Sequence, residues 1–462
     1  MRGRLIAVVA VIALVGVACG RSDGSTANKG DTSSATTSSG KSADFGTLKN
    51  VCQSGKPSGS PTTGVSPTEI HVATFSDTGF SGRPGLNQEF FDTADTFAAW
   101  CNDRGGINGR KIIVDKRDAA LTNTKARMTE SCATDFVMVG GGVVFDQDGV
   151  ETRLKCLMPD FAGFVASIPA RGADILVQPL PNSVHSLQIQ HLNYLAAKYP
   201  NDTNNVGVLT GDISTTKAVA DQNAEAAKSL GWNIVYNDAY PAAGLSDWTP
   251  YAQKIKSQNV KGLIWIGEAE QLASLLHALD DIGYQLDFIR ADPNHYEQKL
   301  LDLAASSLGR TNVYISSSIF PFEKASPSNA TGQYLQAFKD YTPDGKNRTY
   351  LGVQAFSAWL LFATAAKSCG NKLTRTCVYK AGRKITKWTG GGLHAETNPA
   401  TGASTTCGVI FQATPKGFIL APGLKPTNGI YSCSLKNAYP LKGDYGKSIT
   451  LADVGENIRN MK

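Results

Sequence analysis

Nine cysteines, six histidines and a few carboxylates beside glycines are the residues of this 462-residue chain best equipped for chemistry. A zinc hydrolase would set two histidines around a glutamate in His-Glu-x-x-His, and a serine hydrolase would mount its nucleophile in a Gly-x-Ser-x-Gly turn. The sequence has no His-Glu-x-x-His, and its one Gly-x-Ser-x-Gly, Gly20-Arg21-Ser22-Asp23-Gly24, falls in a polar, small-residue stretch rather than at a strand-to-helix elbow. His71, His185, His191, His277, His295 and His394 are scattered without metal-ligand spacing, and no cysteines form Cys-x-x-Cys, so no metal or cofactor is expected. Glu268 follows Gly267 and Asp292 follows Ala291, each at the end of an apolar run. A carboxylate in such a place needs a partner, such as an ammonium group or another donor. Gly140-Gly141-Gly142 lets backbone N–H groups approach an anion ahead of a helix. Phe145 and Phe164 can supply an aromatic wall, and His295 reads as polar lining rather than a catalytic base.

The cysteines also give an address. Arg2 and Arg4 precede the apolar run Leu5–Val17, which is too short to span a membrane and suits an export leader. The run ends in Val15-Gly16-Val17-Ala18-Cys19, small residues before a cysteine as in a bacterial lipobox, with Gly16 where leucine is commonest. Residues 1–18 are therefore expected to be removed and Cys19 to carry lipid. An even set remains: Cys52, Cys101, Cys132, Cys156, Cys369, Cys377, Cys407 and Cys433. In an exported chain this points to disulfides. The formal net charge of +6 includes Arg2 and Arg4, and the remaining basic residues form no long run. Nucleic acid is not expected as a partner.

These residues must be positioned by elements that alternate in type. Residues 21–43 are polar and small, and 19–65 is expected to be a tether, with Cys52 tying down its later part. From residue 66 the patterns read strand 69–74, helix 87–104, strand 111–116, helix 123–134, strand 136–140, helix 147–155 and strand 158–162. A second series runs helix 183–199, strand 205–210, helix 215–230, strand 232–238, helix 247–258, strand 262–267, helix 270–282 and strand 287–291. Helices follow at 330–341 and 350–367, then a hairpin over 405–421. Strands separated by helices of this length imply two mainly parallel α/β sheets. The helix over 123–134 and that over 147–155 should lie side by side, which pairs Cys132 with Cys156. Cys101 ends a helix near the start of the first strand and favours Cys52. Cys369–Cys377 and Cys407–Cys433 rest on sequence proximity alone. Open α/β sheets bind ligands at the carboxyl ends of their strands. Those loops are 76–86, which carries Phe80, 140–148, 162–167, 211–217, 267–271 and 292–296.

Three stretches carry a resemblance. They are Trp100-Cys101-Asn102-Asp103-Arg104-Gly105-Gly106-Ile107-Asn108-Gly109-Arg110-Lys111, then Asp115-Lys116-Arg117-Asp118, and Asp247-Trp248-Thr249-Pro250 followed by Lys261-Gly262-Leu263-Ile264-Trp265-Ile266-Gly267. In this order the chain resembles the type I periplasmic binding proteins of the branched-chain amino-acid-binding group. The resemblance implies a two-lobed α/β fold with three crossover hinges, near 180–182, 317–320 and 393–398. Lobe 1 would comprise 66–181 and 318–395, lobe 2 would comprise 182–317 and 396–433, and 434–462 would be an extension. It implies a monomeric receptor that delivers a small molecule to ABC importer permease subunits, held to the outer face of the cell membrane by its N-terminal lipid. A sensing protein without transport, or an exported hydrolase, would be the alternatives. Ligand contacts carried over by position fall at Val144, Phe145, Gly163, Phe164, Thr216, Glu268, Asp292 and Tyr350, with Phe80, Gly142, Asp146 and His295 on the same loops. Where amino-acid-binding relatives have small hydroxyl residues, this chain has Gly140 to Asp146.

Overall fold

In the computed structural model, which describes residues 42–59 and 62–462, the alternating patterns build two separate sheets. The leader, Cys19 and the first part of the tether lie outside the described residues. The first sheet contains β1 (Glu69–Ser76), β2 (Lys111–Asp118), β3 (Val137–Val139), β4 (Asp160–Phe161) and β5 (Leu176–Val177). All pair in parallel, in the order β2-β1-β3-β4-β5. After β6 (Ser186–Gln188) the second sheet takes β7 (Val206–Gly211), β8 (Ile234–Tyr240), β9 (Gly262–Ile266), β10 (Phe288–Ala291) and β11 (Val313–Ser317) in parallel. The hairpin β12 (Cys407–Thr414) and β13 (Gly417–Leu420) closes its edge in antiparallel fashion.

Helix Gln88–Asn102 shows why the patterns work. Phe90, Ala94, Phe97 and Cys101 recur at helical spacing and are fully buried. Each such phenylalanine contributes about 1.5–3 kcal/mol by leaving water. Helix Tyr350–Ser368 is apolar nearly all round because it is enclosed, with Trp359 stacked on Phe97 at 5.5 Å. No helix among the described residues is long and apolar enough to cross a membrane. Gly106 sits at φ +72°, where a Cβ would collide with the Arg110 carbonyl, so this turn requires glycine.

The structure differs from expectation in three places. The helix expected over 183–199 starts only at Gln190, because Ser186–Gln188 is recruited as a strand by β15 (Ala438–Pro440), counting Ser432–Cys433 as β14. Strands β5 and β11 and helices Gln298–Ala304 and Arg375–Arg383 have no counterpart among the expected elements. Within the described part of 19–65, Phe45, Val51 and Cys52 are buried in the first lobe's core. The four disulfides join Cys52 to Cys101, Cys132 to Cys156, Cys369 to Cys377 and Cys407 to Cys433, the expected pairs.

Where the chain passes between the sheets, its crossings lie side by side. Phe320 N donates to Leu393 O at 2.8 Å, Ala395 N donates to Ser318 O at 2.8 Å, and Thr397 Oγ1 donates to the Pro179 carbonyl. The C-terminal segment adds a strap. Lys442 N, Gly443 N and the Tyr445 hydroxyl all donate to Glu225 on the second lobe. Three residues later Ser448 Oγ donates to Ile168 O and Ile449 N to Pro169 O on the first. Met461 finishes in an apolar cluster with Val150, Leu154 and Ala170.

Candidate functional site

The loops at the carboxyl ends of both sheets converge on one cavity of ≈ 320 Å³. Leu86, Val143, Val144 and Phe164 line it from the first lobe, and Leu187, Ile213, Val219 and Ile266 from the second. Ser316, Ser317, Ser318, Tyr350 and Gln354 contribute where the chain crosses. Six residues expected to meet a ligand lie on this wall: Val144, Phe164, Thr216, Glu268, Asp292 and Tyr350.

The other six do not line it. Asp146 turns away, accepting from Ala166 N at 2.6 Å and Ser167 N at 3.1 Å, so it joins the 140s loop to the 160s loop. Burial pushes its carboxyl up to about 6. With Gly142 it borders a separate void of ≈ 30 Å³ behind the wall. Gly163 serves close backbone packing, its N–H donating to Gly141 O at 3.0 Å. Phe145 is half-buried in the turn leading into helix Gln147–Lys155, and Phe80 folds over its own loop beside Gly82. His295 is wholly buried: Trp265 Nε1 donates to its Nε2 at 3.1 Å, which leaves the proton on Nδ1, 3.1 Å from Asp292 O. Burial lowers its pKa, so it is a neutral strut beneath the loop carrying Asp292.

The wall also holds residues that the sequence did not suggest. Arg290 ion-pairs with Asp292 through Nη1 and reaches Ser316 Oγ with Nη2 at 3.4 Å. Arg171 donates Nε to Ala166 O at 2.8 Å and Nη1 across the lobes to Gln222 Oε1 at 3.0 Å. His191, buried in the second lobe, makes no hydrogen bond of normal length, although the Asn223 side chain is near, and burial lowers its pKa well below 6.5. The Tyr350 hydroxyl lies 3.2 Å from Ser318 Oγ, and burial pushes it up to about 12. One signal for Arg290 existed, since an arginine inside the apolar strand Phe288–Ala291 is out of pattern. No such signal marks Arg171 or His191.

Arg83 bridges the two lobes beside Glu268. From the first lobe it donates Nη1 to Glu268 Oε2 at 2.7 Å and Nε to Glu270 Oε1 at 2.9 Å on the second. Lys299 also pairs with Glu270. The two glutamates raise the Arg83 pKa against the effect of its own burial. Partly exposed bidentate pairs of this kind contribute about 1–2 kcal/mol. Arg83→Ala should therefore shift the unliganded protein about 5- to 30-fold toward an open arrangement. Small-angle scattering should show a larger radius of gyration for the variant, most clearly at low salt. An unchanged radius would deny the latch.

The two lobes and their cleft have the type I periplasmic-binding-protein fold. Residues 188–417 match the family described as periplasmic binding protein. A fatty acid ABC transporter substrate-binding protein from Thermomonospora curvata superposes with a TM-score of 0.65 at 15% identity, covering 81% of this chain and 95% of its own. A branched chain amino acid ABC transporter protein from Thermus thermophilus with bound valine gives 0.64 at 15% identity, covering 80% and 98%. A branched-chain amino acid transporter substrate binding protein from Streptococcus pneumoniae, in complex with isoleucine, gives 0.59 at 16%, covering 77% and 99%. No curated protein matches the chain.

Proposed function

We propose that this is an extracytoplasmic, lipid-anchored solute-binding protein that captures a small organic molecule between its lobes and passes it to an ABC importer. The cavity carries this reading: both lobes enclose it, strand-end loops line it, and its polar side chains are placed to hold a solute. Proteins of similar fold include substrate-binding proteins of branched-chain amino acid and fatty acid ABC transporters. The solutes this reading admits are amino acids, amino-acid-like molecules, amides and aromatic compounds, a range that the charges around the cavity narrow further.

Hydrolysis has less support. A serine and a histidine do meet, with Ser357 Oγ 2.8 Å from His394 Nε2, but both are buried away from the cavity. Trp388 Nε1 donates to the same Oγ, and His394 Nδ1 faces its neighbour's carbonyl rather than a carboxylate. The trio is an internal brace.

Two measurements test the proposal. Calorimetric titration should give saturable binding with no product formed, and turnover would replace the receptor with an enzyme. Cys19→Ala should release the protein from the membrane fraction, whereas undiminished retention would remove the lipid anchor.

A further inference from the structure

Resting on that solute-binding reading, the charges around the cavity narrow the kind of solute. Arg171 is 4% exposed, yet among the described residues no carboxylate pairs with it. Asp146 and Asp292 act on it only at a distance. Asp146 is occupied by backbone N–H groups and Asp292 by Arg290. Burial draws the Arg171 pKa down only to about 10, so it remains a cation near neutral pH. A buried charge without a counter-ion is costly, and an anion supplied from outside would relieve that cost. Buried Arg153 also has no paired carboxylate, but it spreads its donors over the carbonyls of Met158, Asp174 and Ile175 and does not line this cavity.

The carboxylates of the wall complete the pattern. Glu268 is paired with Arg83 and Asp292 with Arg290, each through one oxygen, so their pull on an ammonium group is weakened. The acceptor side of the Gln354 amide is without a partner, which suits a neutral donor such as a hydroxyl. Much of the surface between these polar groups is aliphatic or aromatic, from Val144, Phe164, Ile213 and Val219.

We propose that the cavity takes an organic acid with an apolar body, its carboxylate meeting Arg171 and its body lying along Val144, Phe164, Ile213 and Val219, and that it disfavours the corresponding α-amino acid. The missing hydroxyl pair after the third strand agrees with this, since the anion-holding role moves to a guanidinium.

Calorimetry on the full chain, freed of co-purified solute, tests this with octanoate, octanamide and 2-aminooctanoate, and with 3-phenylpropanoate against phenylalanine. The acids should bind about 10- to 150-fold more tightly than the amide or the amino acids, the range expected for a hydrogen bond to a charged group. Arg171→Gln should bring octanoate to within a few-fold of octanamide, the acid losing far more affinity than the amide. If that variant fails to fold, the ranking within the wild-type protein decides. Amino acids binding as tightly as their acids, or a co-purified neutral or zwitterionic solute found by native mass spectrometry, would overturn the inference and leave the solute-binding reading intact. Absence of binding across the panel, together with no non-covalent small molecule in protein from its own host, would overturn both.

Discussion

Arg375→Ala should destabilise the first lobe by about 1.5–3 kcal/mol, the range for losing hydrogen bonds made by a charged donor. The guanidinium gives Nε to Phe136 O at 2.7 Å, Nη1 to Cys156 O at 2.7 Å and Nη2 to Asp135 O at 2.8 Å. Asp135 and Cys156 cap the carboxyl ends of helices Thr124–Thr134 and Gln147–Lys155. Carbonyls at helix ends carry partial negative charge, so one cation serves two helix dipoles as well as three hydrogen bonds. Alanine would leave three carbonyls without a donor at the corner where Cys132 and Cys156 are joined. Arg375→Lys should fall between, because an ammonium cannot reach three divergent carbonyls. Denaturant unfolding with an unchanged slope would measure the loss, and a loss below about 1 kcal/mol would show that water replaces the guanidinium.

Asp160→Asn should have the opposite sign and depend on pH. The Asp160 carboxyl is buried on β4, and desolvation pushes it up to about 6, with Arg153 only partly opposing the rise. A carboxyl whose folded pKa is raised holds its proton longer in the folded state. Its favourable contribution is therefore complete below the unfolded value of 3.8 and is lost as pH rises through about 6. The loss amounts to about 3 kcal/mol above that range. Asparagine keeps the shape without the charge, so the variant should match the wild type near pH 4 and exceed it by about 2–3 kcal/mol at pH 8. Asp146→Asn should not gain in the same way, because Asp146 accepts two backbone N–H groups that an amide would satisfy less well. A difference between wild type and Asp160→Asn that does not change with pH would refute the assignment.

The two sheets were legible because their strands are apolar and their helices striped, as in Gly262–Ile266 and Gln88–Asn102. β4 fell within the strand read over 158–162, but β5 has only two residues, too few for any period to register, and its place in the sheet order alone defines it. At the cavity, residues on strand-end loops such as Val144, Glu268 and Asp292 were accessible to reasoning because the fold dictates where such loops gather. Their partners were not. Whether Glu268 is free or held by Arg83 depends on how the lobes meet, 185 residues apart in sequence. Arg171 reads as a surface residue until docking brings Gln222 against it. The 434–462 segment has no strong pattern of its own, and it takes its form from edges and pockets supplied by both lobes.

That segment sets a mechanical limit. Tyr445 is fastened to Glu225 on one side and Ser448 to Ile168 on the other, with only two residues between. Three extended peptide steps reach at most about 11 Å. While both fastenings hold, this edge of the molecule behaves as a short leash, and the lobes can part widely only on the opposite side or after one fastening peels away.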